Sequence, residues 1–272
     1  YCSLSGYGQT GPCREWAGHD INYLAMGGFL DCSSRDERGV PGIPGATVAD
    51  SAGGGMQAVI AILSALLRRN ESGCGESLDV AVVDGVLSMM SLHLDQYLAT
   101  GTEATTGNEL LTGRYAWYGC YRTADDRFLS IGAIEPKFYR NLCTLLGLER
   151  YSEHQYDDAV QAQMREDIQE VLLSDTRDNW VTRLASADTC VAPVLAISEV
   201  ANYSHFTERQ AFQPVTARNL PEFTQLAPVM AGSARTGSAT ANAGTSHTEA
   251  LLQTAGYSAG RVRDLLDQGV VE

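Results

Sequence analysis

A chain of 272 residues, 44% hydrophobic and 19% charged, is long and apolar enough to bury a large core in one or two domains. Its 33 acids against 19 Lys and Arg give a net charge of −14, and because the acids are scattered along the chain, nucleic acid and anionic membranes are poor partners. Seven widely spaced cysteines, an odd number with no C-x-x-C pair, argue against both a zinc site and a disulfide framework and fit the reduced thiols of a cytoplasmic protein.

The first element, YCSLS, reads as the tail of a strand, and an opening at Tyr1 in mid-strand leads us to expect that an N-terminal portion is absent. SGYGQTGP follows, and Gly6, Gly8 and Gly11 spell G-x-G-x-x-G. A dinucleotide loop needs a helix that starts on the third glycine. Here Pro12 comes next, and Cys13-Arg14-Glu15-Trp16 offers no apolar stripe, so the fingerprint is rejected. DINYLAMGGFL (20–30) is helical in its spacing and stops at a glycine pair, and a Gly/Pro-rich loop carries the chain to Asp50. From Ser51 a helix is expected with Met56, Val59, Ile60, Leu63 and Leu67 on one buried stripe, Asp50 at its N-cap and Arg68-Arg69 at its end. No apolar run comes near the roughly 18 residues of a membrane span.

A strand follows within SGCGESLDVAVV (72–83), then a helix from Asp84 to about Tyr97, then a Gly/Thr-rich crossing at 100–113. YAWYGCYRTADDRFLSIGA reads as a hairpin that turns at Asp125-Asp126. Residues 138–148 form a short helix that ends at Gly147, 158–187 a helical pair, and 191–202 a strand with a turn of helix. Residues 214–248 read as an extended return segment, and the tail as two short helices. The pattern predicts an α/β fold with three parts: a large α/β domain over 1–111, a smaller α+β domain over 112–205, and a segment over 206–272 that rejoins the large domain.

AGHDINY (17–23), VADSAGGGM (48–56) and GAIEP (132–136), with YRTADDRFLSIGAIEPKFY, TCVAPVL and GYSAGRVRDLLDQGVV around them, resemble the alpha-methylacyl-CoA racemase branch of the family III CoA-transferases. The resemblance runs the length of the chain. It implies a large domain whose Rossmann-like N-terminal part lies ahead of Tyr1, and it turns SGYGQTGP into a loop that leads to His19. It further implies acyl-CoA racemisation at the alpha carbon, with His19 and Asp50 as the two proton carriers and Glu135 orienting the histidine. On the same resemblance, Tyr23 packs against the CoA moiety or, on its own chemistry, sits in the core as an aromatic. No cofactor beyond the CoA of the substrate is expected. The expected partners are an acyl-CoA thioester and a second copy in an interlocked homodimer, in which Glu135 of one chain serves His19 of the other.

Helix-start chemistry supports Asp50, since a helix N-terminus favours negative charge. Gly53, Gly54 and Gly55 are expected to let substrate approach; the ordinary reading of His19 is instead a core histidine satisfied by Asp20, and that of Glu135 a solvated hairpin-edge carboxylate. The alternative activity is CoA transfer through an acyl anhydride on Asp50, and a further alternative is a non-catalytic subunit. Residues 232–244 lack the prolines usual in the family's return segment.

Overall fold

The computed structural model describes residues 1–217, 220–228, 239–241 and 247–271, so about half of the 214–248 segment, and all of its 232–244 departure except 239–241, lies outside the described residues. Contacts divide the chain into two units, Tyr1–Val194 and Leu195–Glu272.

The first unit opens with β1 (Cys2–Ser5), followed by a loop that stays non-helical to His19, so no helix starts on Gly11. The glycine pair Gly27-Gly28 splits the expected first helix into α1 (Asp20–Met26) and α2 (Phe29–Cys32). A π-helix over Ala49–Met56 runs directly into α3 (Gln57–Ser72), which Gly73 ends in the left-handed conformation. β2 (Leu78–Ala81) pairs in parallel with β1, with Leu4 opposite Val80. The helix expected from Asp84 is two helices broken at Met90, α4 (Val82–Met89) and α5 (Ser91–Thr100).

Two expectations for α3 are overturned. Its stripe is not buried: Val59, Ile60, Leu63 and Leu67 are all exposed, Leu67 to 68%, and Ala58 alone of the helix is buried. Among the described residues the elements against α3 are β1, β2 and the π-helix, which leaves the stripe on the open side. Second, the π-helix and α3 form one 24-residue helix, Ala49–Ser72, with an 18-residue window of mean hydropathy 1.3. By length and composition that is enough to cross a membrane, contrary to the expectation that no run comes near it, although a long helix laid on a sheet meets the same test.

Two separate apolar clusters form within this unit. The first joins Tyr23, Leu24, Ala49, Val82, Val86 and Met90, so α1, the start of the π-helix and α4 share one small core. The second lies between residues 115 and 191, where Trp117, Leu129, Tyr139, Leu142, Ile168, Leu172 and Leu184 are almost fully buried. There β3 (Tyr118–Arg122) and β4 (Phe128–Gly132) make the expected hairpin, with Asp126 in the left-handed region at φ 57°, and β5 (Val191–Pro193) adds to β4 antiparallel. α6 (Pro136–Leu146), α7 (Asp158–Leu172) and α8 (Arg177–Leu184) supply the rest. Gln161 satisfies this core's polar groups: its Oε1 accepts the buried Ala116 N–H at 3.0 Å and its Nε2 donates to the Asp157 carbonyl at 3.0 Å.

The second unit carries α9 (Ile197–Val200), α10 (Ser204–Glu208) and a sheet in the order β7-β6-β8. β6 (Phe212–Ala217) is antiparallel to β7 (Leu220–Leu226) and parallel to β8 (Ala239–Ala241). The expected pair of tail helices is present as α11 (Thr248–Thr254) and α12 (Ala259–Asp267).

Candidate functional site

His19 is the residue before α1, with extended backbone, φ −130° and ψ 176°. The Asn22 side chain caps this helix start, its Oδ1 accepting the His19 N–H at 3.0 Å, while the Asn22 N–H donates to the His19 carbonyl at 2.8 Å. The imidazole is exposed and makes no hydrogen bond among the described residues. On the other side of His19, the Tyr23 hydroxyl donates to the Gly18 carbonyl at 2.6 Å.

Tyr23 is a core residue, 8% exposed, packed edge-on to Tyr7 with ring centroids 5.1 Å apart. Burial pushes its hydroxyl pKa up, followed by the charges of Tyr7 and Asp50, so the phenol stays a neutral donor. Two glycines of the opening loop, Gly6 and Gly18, fit around this ring. A side chain at Gly6 would overlap it, and one at Gly18 would lie 2.9 Å from its Cε1 and 2.8 Å from the Tyr7 hydroxyl. Of the two roles expected for Tyr23, the geometry displays the packing one. Removing the hydroxyl in Tyr23→Phe is expected to cost about 1 kcal/mol, the net worth of one hydrogen bond, and to lower the thermal midpoint by about 2–4 °C by circular dichroism. An unchanged midpoint would show that the bond does not hold the Gly18-His19 turn.

Asp50 is not the N-cap of α3. It lies in the first turn of the π-helix, whose N-cap position is taken by Val48, already helical and without a capping side chain. The acceptor comes instead from α1: Asp20 Oδ1 takes the Asp50 N–H at 2.9 Å. Ser51 N–H donates to the Thr47 carbonyl at 3.1 Å, so two of the first-turn amides are already engaged. The Asp50 carboxyl is exposed. Asp20 therefore has a different role from the one expected, since it bonds the Asp50 backbone and not the His19 ring. An acid directly after the histidine, with a capless Val48 ahead of Asp50, was the only sequence signal for it.

The glycines after Asp50 also differ from expectation. Gly53 and Gly54 are buried against α4; a Cβ on Gly53 would lie 2.9 Å from the Val82 carbonyl oxygen, and one on Gly54 3.0 Å from Val82 Cγ2. Gly85 of α4 faces Gly53 backbone to backbone, so the pair lets two helices touch where side chains would hold them apart. Only Gly55 is exposed.

Glu135 precedes α6, with Pro136 at its first position, and its carboxylate is exposed and does not cap the helix. It belongs with the second apolar cluster, near Cys190, whose thiol pKa is raised by burial first and then by the charges of Glu135 and Asp188. Among the described residues no hydrogen bond joins Glu135 to His19 or Asp50. The chain thus brings the His19 turn and Asp50 together and leaves Glu135 on a separate element. No group of three or more His, Cys, Asp or Glu among the described residues could hold a metal ion, and all seven cysteines are free thiols.

The chain is similar to proteins of known name over most or all of its length. A CaiB/baiF CoA-transferase family protein of Caenorhabditis elegans is 37% identical over 212 residues, 78% of this chain and 61% of that protein. The alpha-methylacyl-CoA racemase of Homo sapiens is 33% identical over 276 residues, all of this chain and 71% of the racemase. CoA-transferases are also among the relatives, the succinyl-CoA:D-citramalate CoA-transferase of Chloroflexus aurantiacus at 30% identity. In fold the chain is similar to a CaiB/BaiF family protein of Brucella suis, with a TM-score of 0.71 at 24% identity over 93% of this chain and 67% of that one. The chain spans between 55% and 71% of the length of these proteins. With residues 1–262 matching CoA-transferase family III as a whole, the chain belongs to that family.

Proposed function

We propose that the chain carries the catalytic residues of an acyl-CoA racemase that inverts the alpha carbon of 2-methylacyl-CoA thioesters by 1,1-proton transfer. The observation that carries the reading is the bond from Asp50 N–H to Asp20 Oδ1, because it sets the residue next to His19 against the backbone of Asp50. Inversion needs an acid/base group on each face of the carbon, and an imidazole and a carboxylate on two linked elements meet that need. The positive end of the helix that carries Asp50 favours the enolate oxygen between the two transfers.

The cofactor requirement stops at the CoA of the substrate, and Glu135 is supplied to His19 by a second copy of the chain in a cytoplasmic homodimer. For the acyl group, a cleft of about 400 Å³ lined by Phe29, Ile43, Pro44, Met90 and His93 is available. Pro44 lies six residues ahead of Asp50 and so within ~20 Å of it along the chain.

The test is solvent exchange. Given either epimer of a 2-methylacyl-CoA in deuterium oxide, the full-length protein is expected to place one deuterium on the alpha carbon and to bring both starting materials to the same mixture. The family's other chemistry gives a different result. There the Asp50 carboxylate attacks the thioester carbonyl, the C–S bond breaks with CoA leaving as thiolate, and a mixed anhydride remains. Thioester recovered without deuterium, with CoA transfer that depends on an acceptor acid and a hydroxylamine-sensitive adduct on Asp50, would replace the racemase reading by that one.

A further inference from the structure

We infer that Asp20 is a positioning residue that fixes the spacing between the two proton carriers, an inference that rests on the racemase reading. Its carboxylate reaches from the first residue of α1 to the Asp50 N–H, 30 positions away, at 2.9 Å. Nothing local does this work, because the N-cap position of the π-helix holds Val48, and a helix start leaves N–H groups in need of an acceptor. Asp20 is free for it, because the cap of its own helix is provided by Asn22.

His19 is thereby fixed on three sides through its backbone neighbours: its own N–H by Asn22, the Gly18 carbonyl by Tyr23, and the following residue by Asp50. The imidazole itself is left free to move a proton. Asp20 is half-buried and its side chain is short, with two rotatable bonds, so the link it makes is stiff. A charged acceptor also makes the stronger kind of hydrogen bond. Proton transfer between two flanking groups depends steeply on their placement, and a misplacement of about 1 Å costs on the order of 10²-fold.

The signature of a positioning residue differs from that of a carrier. Loss of the link disturbs both carriers at once, so the rate falls by one factor from either epimer, whereas loss of a carrier falls unequally. Asp20→Ala is expected to lower kcat for deuterium exchange by about 10-fold or more, equally from the two epimers, with KM for the thioester within about twofold of the parent. Asp20→Asn keeps an oxygen acceptor and is expected to recover most of the rate.

A second readout does not depend on catalysis. Amide hydrogen exchange of the peptide that contains Asp50 should speed up in Asp20→Ala and stay protected in Asp20→Asn. Unchanged protection in Asp20→Ala would overturn the inference, as would a rate loss confined to one epimer or an Asp20→Asn variant as slow as Asp20→Ala. A parent protein that exchanges no alpha proton would end the racemase reading, and with it the catalytic part of this inference. The amide result would then still decide whether Asp20 holds the two elements together.

Discussion

Replacing His19 by alanine is expected to slow alpha-deuterium exchange by about 10²-fold or more from one epimer of a 2-methylacyl-CoA and by much less from the other, and Asp50→Asn is expected to reverse that preference. The asymmetry follows from geometry. With a carrier on each face, each epimer presents its alpha proton to one of them, and the carrier that remains still removes the proton it faces and returns deuterium from solvent. What is lost is inversion, so both variants should fail to interconvert the epimers while one epimer in each case keeps exchanging.

Both side chains are exposed at the ends of their elements, and neither is a core residue, so the substitutions should leave the fold intact and a thermal melt within a degree or two of the parent serves as the check. Equal losses from both epimers in both variants would remove the two-carrier arrangement. A His19→Ala variant that moves CoA between acids at the parent rate would assign Asp50 to nucleophilic work instead.

Most of the element order was legible in the sequence, because strong punctuation marks it: Gly147 ends a helix, Gly27-Gly28 interrupts one, and Asp125-Asp126 turn the hairpin, whereas the starts and ends between them shift by a few residues, α6 beginning at Pro136 and not at 138 and α3 running past Arg69 to Ser72. The position of Asp50 was misread because a π-helix has no periodicity of its own to recognise over eight residues, and the helical run behind it made a cap the natural reading. The exposure of the α3 stripe was invisible for a different reason. Amphipathic spacing tells which face seeks cover and does not tell which element covers it, so Val59 and Leu63 read as buried whether or not a partner lies against them.

The site was legible as residue types and not as connections. His19, Asp50 and Glu135 stand out in their motifs, but the Asp20 link spans 30 residues and joins a side chain to a backbone amide, a relation that no local pattern encodes. The role of the glycines was half-legible. GGG after an acid signals close approach, yet what approaches Gly53 and Gly54 is a neighbouring helix.

That close approach sets up the second large effect. Gly85→Ala should stabilise an isolated helix, since alanine gains about 1 kcal/mol over glycine in a helix interior. Here the added Cβ would overlap the Cα and carbonyl of Gly53, and because both are backbone atoms no rotamer change relieves the clash. The π-helix must then move off α4, and Asp50 moves with it. Overpacking of this kind costs about 1–3 kcal/mol, so a net loss of stability is expected in spite of the propensity gain. The activity should suffer more than the stability. A shift of about 1 Å in a proton carrier is worth on the order of 10²-fold in rate, whereas the core beneath needs only to loosen.

Gly260→Ala isolates the propensity part, because Gly260 lies in α12 with open space around the position of its Cβ, and it should raise stability slightly and leave exchange unchanged. Denaturant unfolding and deuterium exchange measured on both variants separate the two effects. If Gly85→Ala unfolds at the parent midpoint and exchanges at the parent rate, the glycine pair does not set the place of Asp50. A variant of near-parent stability that has lost exchange from both epimers would show that the helix contact works chiefly to aim the carboxylate, with the Asp20 link holding its N-terminal end and the glycine pair holding its flank.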